Sequence, residues 1–404
     1  GCDCDAAGAG ATQIVCPDSV VSPGLINAHD HLGWMNDRPW VADQNGVDPA
    51  LRWEHRHDWR KGKRQQPKIT TGPGGASTDE KAFGELRFAL GGATAVFGSG
   101  DTAGILRDLD STGSGASGLG QPGTEYNTFP LGDSDGMLKT AGCDYPDVQS
   151  DEPAEAFAPH VAEGIDAEAR NEFLCLTGGA AGGVDILGQK SAIIHGIGLG
   201  AGDAALMASR GIGLIWSPRS NVALYGDTAR VTLMRNAGVA IGLGTDWIPS
   251  GSMNMLRELA CADFLNQARF GGAFTDLELW RMATQGAAMV LGIDGVAGTL
   301  APGQVGDIAI FAKNGHQAHR AVLEASVAET QLVLRGGKPV VGNGPIVAAL
   351  ETGCDDLGPV CGVGKRACVK RDTGKTWTPL LATAPAYPAF FCGVPDAAPS
   401  CEPA

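Results

Sequence analysis

Residues 20–32 read VVSPGLINAHDHL. An apolar run that ends in polar residues is the pattern of a buried strand whose C-terminal end carries two histidines. Alternate side chains of a strand share a face, so the H-x-H of His29 and His31 can reach one metal ion together. The same grammar continues outward. EKAFGELRFAL (80–90) has helical periodicity, and ATAVFGSG (93–100) and EYNTFPLGD (125–133) read as strands. FAPHVAEG (157–164) is a strand end followed by the helix IDAEARNEFLCL. From SAIIHGIGL (191–199) to MNMLRELACADFLNQ (253–267) strands and helices alternate regularly. Alternation of this kind implies βα units around a parallel sheet. Roughly seven or eight units over about 230 residues fit a (β/α)8 TIM-like barrel better than an open sheet. Residues 101–155 should hold two units, and only one is clear.

The expected organisation is a barrel over residues 20–296, with residues 1–19 and 297–351 outside it. TLAPGQVGDIAIFAK (299–313) and TQLVLRGGKPVVGN (330–343) are short strands with glycine turns, which predicts a small β module. Residues 352–404 form a Cys- and Pro-rich tail without convincing periodicity. There is no internal repeat of the length that marks a solenoid or propeller.

Composition narrows the function classes. The chain has 404 residues, 45 of them acidic and 30 basic, for a net charge of −15. A general nucleic-acid binder needs a basic face, and this balance argues against one. No uninterrupted apolar run reaches the roughly 18 residues of a spanning helix. Glycine, at 60 residues, predicts many tight turns.

The 11 cysteines cluster at the two ends, with only Cys143, Cys175 and Cys261 between. That clustering predicts ends that meet and are stapled by disulfides. Disulfides persist in oxidising compartments, so a periplasmic or secreted protein is expected. The C-x-C start and C-x6-C steps do not match the close pairs of a zinc ribbon. The odd count leaves at least one thiol free or paired outside this chain. The chain opens on Gly1 and reads as a processed form.

Ligand-type residues fall at four separate strand ends: His29 with His31, His160 with Glu163, His195, and Asp246. Singly, each has a plain structural reading: a core histidine, a helix-surface pair, a helix N-cap. Jointly, at the mouth where barrel strands converge, they describe one site. A regular strand would point His160 and Glu163 to opposite faces, so a shared site requires the chain to turn after His160. Neutral imidazoles and a carboxylate suit Zn²⁺ with an open position for water. An unligated carboxylate beside it can move a proton.

The set PGLINAHDH (23–31), HVAE (160–163), IIHG (193–196), SPRSN (217–221), LGTDW (243–247) and GTLAPGQVGDIAIF (298–311) resembles the metal-dependent amidohydrolase superfamily. The branch is that of cytosine, guanine and S-adenosylhomocysteine deaminases and triazine hydrolases. The resemblance implies a flanking β-sandwich built from both chain ends. It also implies one divalent metal, Zn²⁺ or Fe²⁺, held by His29, His31, His160 and Asp246. Glu163 would be the proton shuttle, and His195 would hydrogen-bond the attacking water or the substrate. A small-molecule substrate and a homodimer follow from the same resemblance. Two-metal relatives use a carboxylated lysine. Lys139, the only lysine between residues 82 and 188, lies in a loop-like context, which points to a mononuclear site.

The expected reaction is hydrolysis of a non-peptide C–N bond, with deamination of a cyclic amidine first and amide, lactam or carbamate hydrolysis second. A non-catalytic scaffold would be expected to lose ligands, and none is missing. Trp34, Trp216, Trp247 and Arg219 stand near the motifs and are candidate contacts for a flat, polar or anionic heterocycle. A second H-x-H, His55 and His57 in WEHRHDWR, is read as a charged loop over the barrel mouth. It is a candidate substrate contact and a weaker rival as a metal site.

Overall fold

The apolar run at residues 20–27 forms two strands in different sheets, β1 (Ser19–Pro23) and β2 (Leu25–Asn27), and not the single strand expected. Pro23 has no N–H to give a ladder, and the chain crosses between sheets at Gly24. A Cβ there would lie 2.2 Å from Thr94 Oγ1, so only glycine lets β2 settle beside β3 (Ala93–Val96). The computed structural model describes residues 12–403 apart from 73, 99–103, 111–116, 152 and 384–386.

The architecture is mixed α/β. β2, β3 and β4 (Arg107–Asp108) are parallel neighbours. A second parallel sheet runs in chain order through β5 (Glu125–Asn127), β6 (Phe157–Val161), β7 (Ala192–His195), β8 (Gly213–Trp216) and β9 (Ile241–Leu243). Parallel bridges join the two sheets on both flanks, Asp110 to Thr124 and Asp30 to Asp246. Alternation sorts the strand side chains into two cores. Ile26, Ala95, Ala158, Ile194 and Ile215 share one. Their neighbours Leu25, Phe157, Ile193, Leu214 and Trp216 pack on the other side, with Phe173 and Met207 of the helices.

Two helices precede β3, α1 (Arg56–Lys61) and α2 (Thr78–Leu90), the second opened by a Ser77–Glu80 capping box. α3 (Ala167–Leu176) follows β6 and α4 (Ala201–Arg210) follows β7. α5 (Pro218–Tyr225) and α6 (Val231–Ala237) follow β8. After β9 come α7 (Met255–Ala268), α8 (Asp276–Met282) and α9 (Gln285–Val290). Among the described residues no helix lies between β3 and β6, which explains the weak pattern there. The long β5–β6 connection is pinned instead to α3 by the Cys143–Cys175 disulfide.

Among the described residues the flanking module is one six-stranded antiparallel sheet, and the expected second sheet of a sandwich is not seen there. It contains β1, β10 (Ile308–Ala312), β11 (Thr330–Arg335), β12 (Lys338–Asn343), β13 (Asp355–Val360) and β14 (Val363–Ala367). Helices do the work a second sheet would do. Ala309, Phe311 and Val333 belong to the core shared with α2. Ile310, Leu332 and Leu334 face Val347 of α11 (Gly344–Leu350), which lies beyond the short α10 (Arg320–Leu323). The tail read as aperiodic therefore supplies two strands, followed by α12 (Val369–Thr373) and α13 (Trp377–Ala382).

The described disulfides hold other parts of the chain. The ends meet, because β1 pairs with β10, but no disulfide among the described residues joins them. Cys354–Cys368 and Cys361–Cys392 close the tail on itself, and Cys261–Cys401 ties it to α7. Cys16 has no disulfide partner among the described residues, and Cys2 and Cys4 lie outside them. No described helix is long and apolar enough to cross a membrane.

Candidate active site

Four strand ends deliver the site. His29 and His31 follow β2 in a short extended segment held on both sides. Ala28 N–H donates to Leu243 O at 3.0 Å, Asp246 N–H donates to His29 O at 2.9 Å, and Asp30 N–H donates to Phe97 O at 2.8 Å. A Cβ on Gly244 would lie 2.6 Å from His29 N, so glycine lets the end of β9 approach this closely. His160 lies in β6 and faces Ile194 of β7 in register, while Val161 faces His195. The chain does turn after His160. Ala162 takes φ 57°, and Glu163 swings to the same side as His160. His195 (φ 73°) and Asp246 (φ 57°) are left-handed too. Non-glycine residues in this region cost about 1–3 kcal/mol each, and such strain concentrates at functional sites.

The rings form one cluster. Centroids are 4.8 Å apart for His29–His31, 4.7 Å for His29–His160, 5.3 Å for His31–His160 and 5.3 Å for His160–His195. Asp246 Oδ1 lies 3.2 Å from His29 Nε2 and 3.5 Å from His31 Nε2. The first contact lacks hydrogen-bond geometry. His29 Nε2 and His160 Nδ1 are both buried without a hydrogen-bond partner. Unpaired buried nitrogens are costly, and an ion accepted by both would relieve the cost. Burial, then the neighbouring His29, pushes His31 down to about 3, and His160 is lowered well below its ordinary value for the same reasons. Both rings are neutral at pH 7, the form that ligates metal. Burial disfavours the charged form of Asp246, but contact with His29 outweighs it and holds the carboxyl below its usual range. Ser220 Oγ donates to Asp246 Oδ2 at 2.5 Å.

Glu163 and His195 stand beside this cluster, with His195 Nε2 3.7 Å from Glu163 Oε2. His195 Nδ1 is 3.0 Å from Asn221 Oδ1, an acceptor, so Nδ1 carries the proton and Nε2 the lone pair. Tyr225 Oη donates to Glu163 Oε1 at 2.8 Å and accepts from Trp59 Nε1 at 2.8 Å. The tyrosine fixes one carboxylate oxygen and leaves the other facing His195. Tyr225→Phe is expected to lower kcat about tenfold, the loss of one hydrogen bond to a charged group, at unchanged metal content. Steady-state kinetics with elemental analysis checks it.

An open cavity of about 390 Å³ rises from these groups, lined by His31, His160, Glu163, His195 and Asp246 below and by Trp34, Trp59, Trp247 and Phe129 at the sides. Arg56, Arg60 and Lys61 line it as well. Trp34 and Trp247 are thus where a flat substrate would touch them. Trp216 and Arg219 are not. Trp216 points to the helix side of β8, fully buried, and its Nε1 donates to Thr228 Oγ1 at 2.7 Å. Arg219 turns away to bind Ser252 Oγ and the tail carbonyl of Pro399. Lys139 pairs with Asp144 at 3.5 Å, away from the cavity lining.

The second H-x-H is neither a solvated loop nor part of the cavity lining. His55 caps α1, and both rings are buried. Three ligand-type atoms of His55, His57 and Glu172 do lie within 4.8 Å of one another. Their hydrogen bonds leave neither imidazole a lone pair for a cation. His55 Nδ1 accepts from His57 N–H, so its Nε2–H faces Glu172. His57 Nδ1 accepts from Arg60, so its Nε2–H faces Asp133. Arg56 lies between the two carboxylates, 2.9 Å from Asp133 and 3.2 Å from Glu172. Glu172 Oε2 in turn accepts from Ala162 N–H at 2.9 Å, so this buried network grips the turn that presents Glu163. Arg56, Trp59, Arg60 and Tyr225 were missed from sequence. Arg56, Trp59 and Arg60 share one helical face at i, i+3 and i+4, a signal present in WEHRHDWR.

Comparisons with known proteins agree on a family. Residues 124–340, over half the chain, match the amidohydrolase family. A 5-methylthioadenosine/S-adenosylhomocysteine deaminase of Pelotomaculum thermopropionicum is 28% identical over 320 residues, 72% of this chain and 71% of that protein. An 8-oxoguanine deaminase of Pseudomonas aeruginosa is 30% identical over 190 residues, 44% of this chain and 42% of that one. A zinc-bound adenosine deaminase from Xanthomonas campestris has a similar fold, with TM-score 0.53, 16% identity and 80% of each chain covered.

Proposed function

Because the chain belongs to the amidohydrolase family, we propose that it is a mononuclear metal-dependent deaminase of a flat nitrogen heterocycle. His29, His31, His160 and Asp246 would hold the cation, Zn²⁺ first and Fe²⁺ second. The observation that carries this reading is the pair of unpartnered buried nitrogens, His29 Nε2 and His160 Nδ1, converging beside Glu163 and Asp246. The deaminases among the relatives support the reaction class.

A cation held there supplies Lewis acidity, which lowers the pKa of water towards about 7. The residues do the rest. Glu163 Oε2 takes the proton of the attacking water, Oε1 being held by Tyr225. His195 Nε2 accepts the second O–H of that water, fixed in this role by Asn221. Water oxygen bonds to the sp² carbon, the C–N bond breaks, and Glu163 returns its proton to the departing nitrogen, which leaves as ammonia. Trp34, Trp59 and Trp247 orient the ring.

Two further readings belong to this proposal. The eight parallel strands form one closed barrel, supported by the two flanking bridges and the inner core they enclose. The four disulfides among the described residues support an oxidising, periplasmic or secreted location.

Ammonia release across a panel of amino-heterocycles, with elemental analysis, tests the reading. About one zinc per chain and ammonia in step with substrate loss are expected, with activity lost to a chelator and regained with zinc. Cleavage of amides, lactams or carbamates alone would replace deamination by that chemistry. Absence of bound metal in protein purified without chelator would sink both.

A further inference from the structure

Beyond the two carboxylates on the cavity floor, Glu163 and Asp246, every charged side chain lining the cavity is cationic: Arg56, Arg60 and Lys61. This is not a by-product of a basic protein, since the whole chain carries −15. Arg56 is neutralised by Asp133 and Glu172. Arg60 and Lys61 differ. Among the described residues no carboxylate lies within ion-pair distance of either.

Arg60 is held by uncharged partners. Its guanidinium lies 4.2 Å from the Phe129 ring centroid, and its Nη1 donates to His57 Nδ1 at 3.0 Å. Burial pushes His57 down to about 4, so that ring is neutral at pH 7. The cation is thus fixed in place, half-buried, with donors to spare and no counter-charge in contact. Lys61 follows it at the rim. A planar fork of this kind is built to bind carboxylate or phosphate in two-point fashion.

We propose that the substrate is anionic: a heterocycle whose carboxylate or phosphate group is bound by Arg60 and Lys61 while its ring lies against the wall formed by Trp34, Trp59 and Trp247. The ring then spans from this cationic rim to the His29, His160, Glu163 and Asp246 cluster. This inference rests on the deaminase reading for the identity of the ring, but not for the anion.

The test uses matched pairs with the zinc-loaded protein. Cytosine against cytosine-5-carboxylate is the carboxylate arm, and adenosine against adenosine 5′-monophosphate is the phosphate arm. In at least one arm the acid should be preferred in kcat/KM by about 10- to 100-fold, as expected for charge-assisted bonding, mostly through KM. The preference should shrink with salt, fall to about one in Arg60→Ala, and survive in part in Arg60→Lys. Ammonia released equally from the neutral and acidic members by the wild type overturns the inference. If no compound releases ammonia, quenching of the cavity tryptophans by benzoate and phenyl phosphate, with benzamide as the neutral control, decides separately. Saturable anion binding lost in Arg60→Ala upholds the anionic subsite and counts against deamination. Anion binding equal in wild type and Arg60→Ala, or none at all, overturns the subsite.

Discussion

Glu163→Gln should lower kcat by about 10²- to 10⁴-fold, the usual contribution of a positioned acid–base group, with metal content and melting temperature unchanged. The amide matches the carboxylate in shape and still accepts from Tyr225, whose Oη lies 2.8 Å from Oε1. What it loses is the capacity to take a proton at Oε2, the oxygen 3.7 Å from His195 Nε2. Metal is retained because the cation would be held by His29, His31, His160 and Asp246, whose rings and carboxylate converge without Glu163. Single-turnover kinetics with elemental analysis separates the two effects. Turnover within tenfold of wild type would remove Glu163 from the proton path.

Arg56→Met should destabilise the protein by about 3–5 kcal/mol, the cost of leaving buried charges without their partner. Asp133 and Glu172 are buried, and Asp133 Oδ1 already lacks a hydrogen bond. Burial pushes both carboxyls up, but Arg56, followed by the neighbouring histidines, outweighs it and holds both below their usual values. A lowered folded-state value gives stability that is present above the unfolded value, near pH 4, and is lost as pH falls further. In Arg56→Met burial dominates, so the carboxyls rise and the variant loses stability as pH climbs above about 4. The gap to wild type in urea unfolding should therefore be widest at pH 7 and narrow towards pH 4. A pH-independent gap would mean that Arg56 acts through packing alone. The variant should also lose turnover, because Glu172 holds the Ala162 turn beneath Glu163.

The cluster of His29, His31, His160, His195 and Asp246 was legible because its residue types fall at the ends of periodic segments, and a parallel sheet carries such ends to one side. Proximity in sequence was a poorer guide. Trp216 adjoins the SPRSN motif, yet the strand pleat sends it to the helix side, opposite Ile215. Arg219 lies inside that motif, but its guanidinium serves the tail at Pro399, a contact set by a fold-level return of the chain. The second H-x-H looked exposed because its neighbours are charged. One of those charges, Arg56, is the counterpart of Asp133 and Glu172, more than 70 residues away, and no local pattern announces such a pairing. The split of residues 20–27 into two strands left only Pro23-Gly24 as a mark. The tail strands were hidden because β13 is partly exposed and so lacks an apolar rhythm.

Among the described residues β1 has one neighbour, β10, with Ser19 opposite Ala312. During synthesis that strand lacks this partner until Ala312 has been added to the chain. An apolar edge left open so long invites pairing with other nascent chains. Yield in a foreign host should therefore hinge on elongation speed and holdase supply more than on the strength of the finished fold.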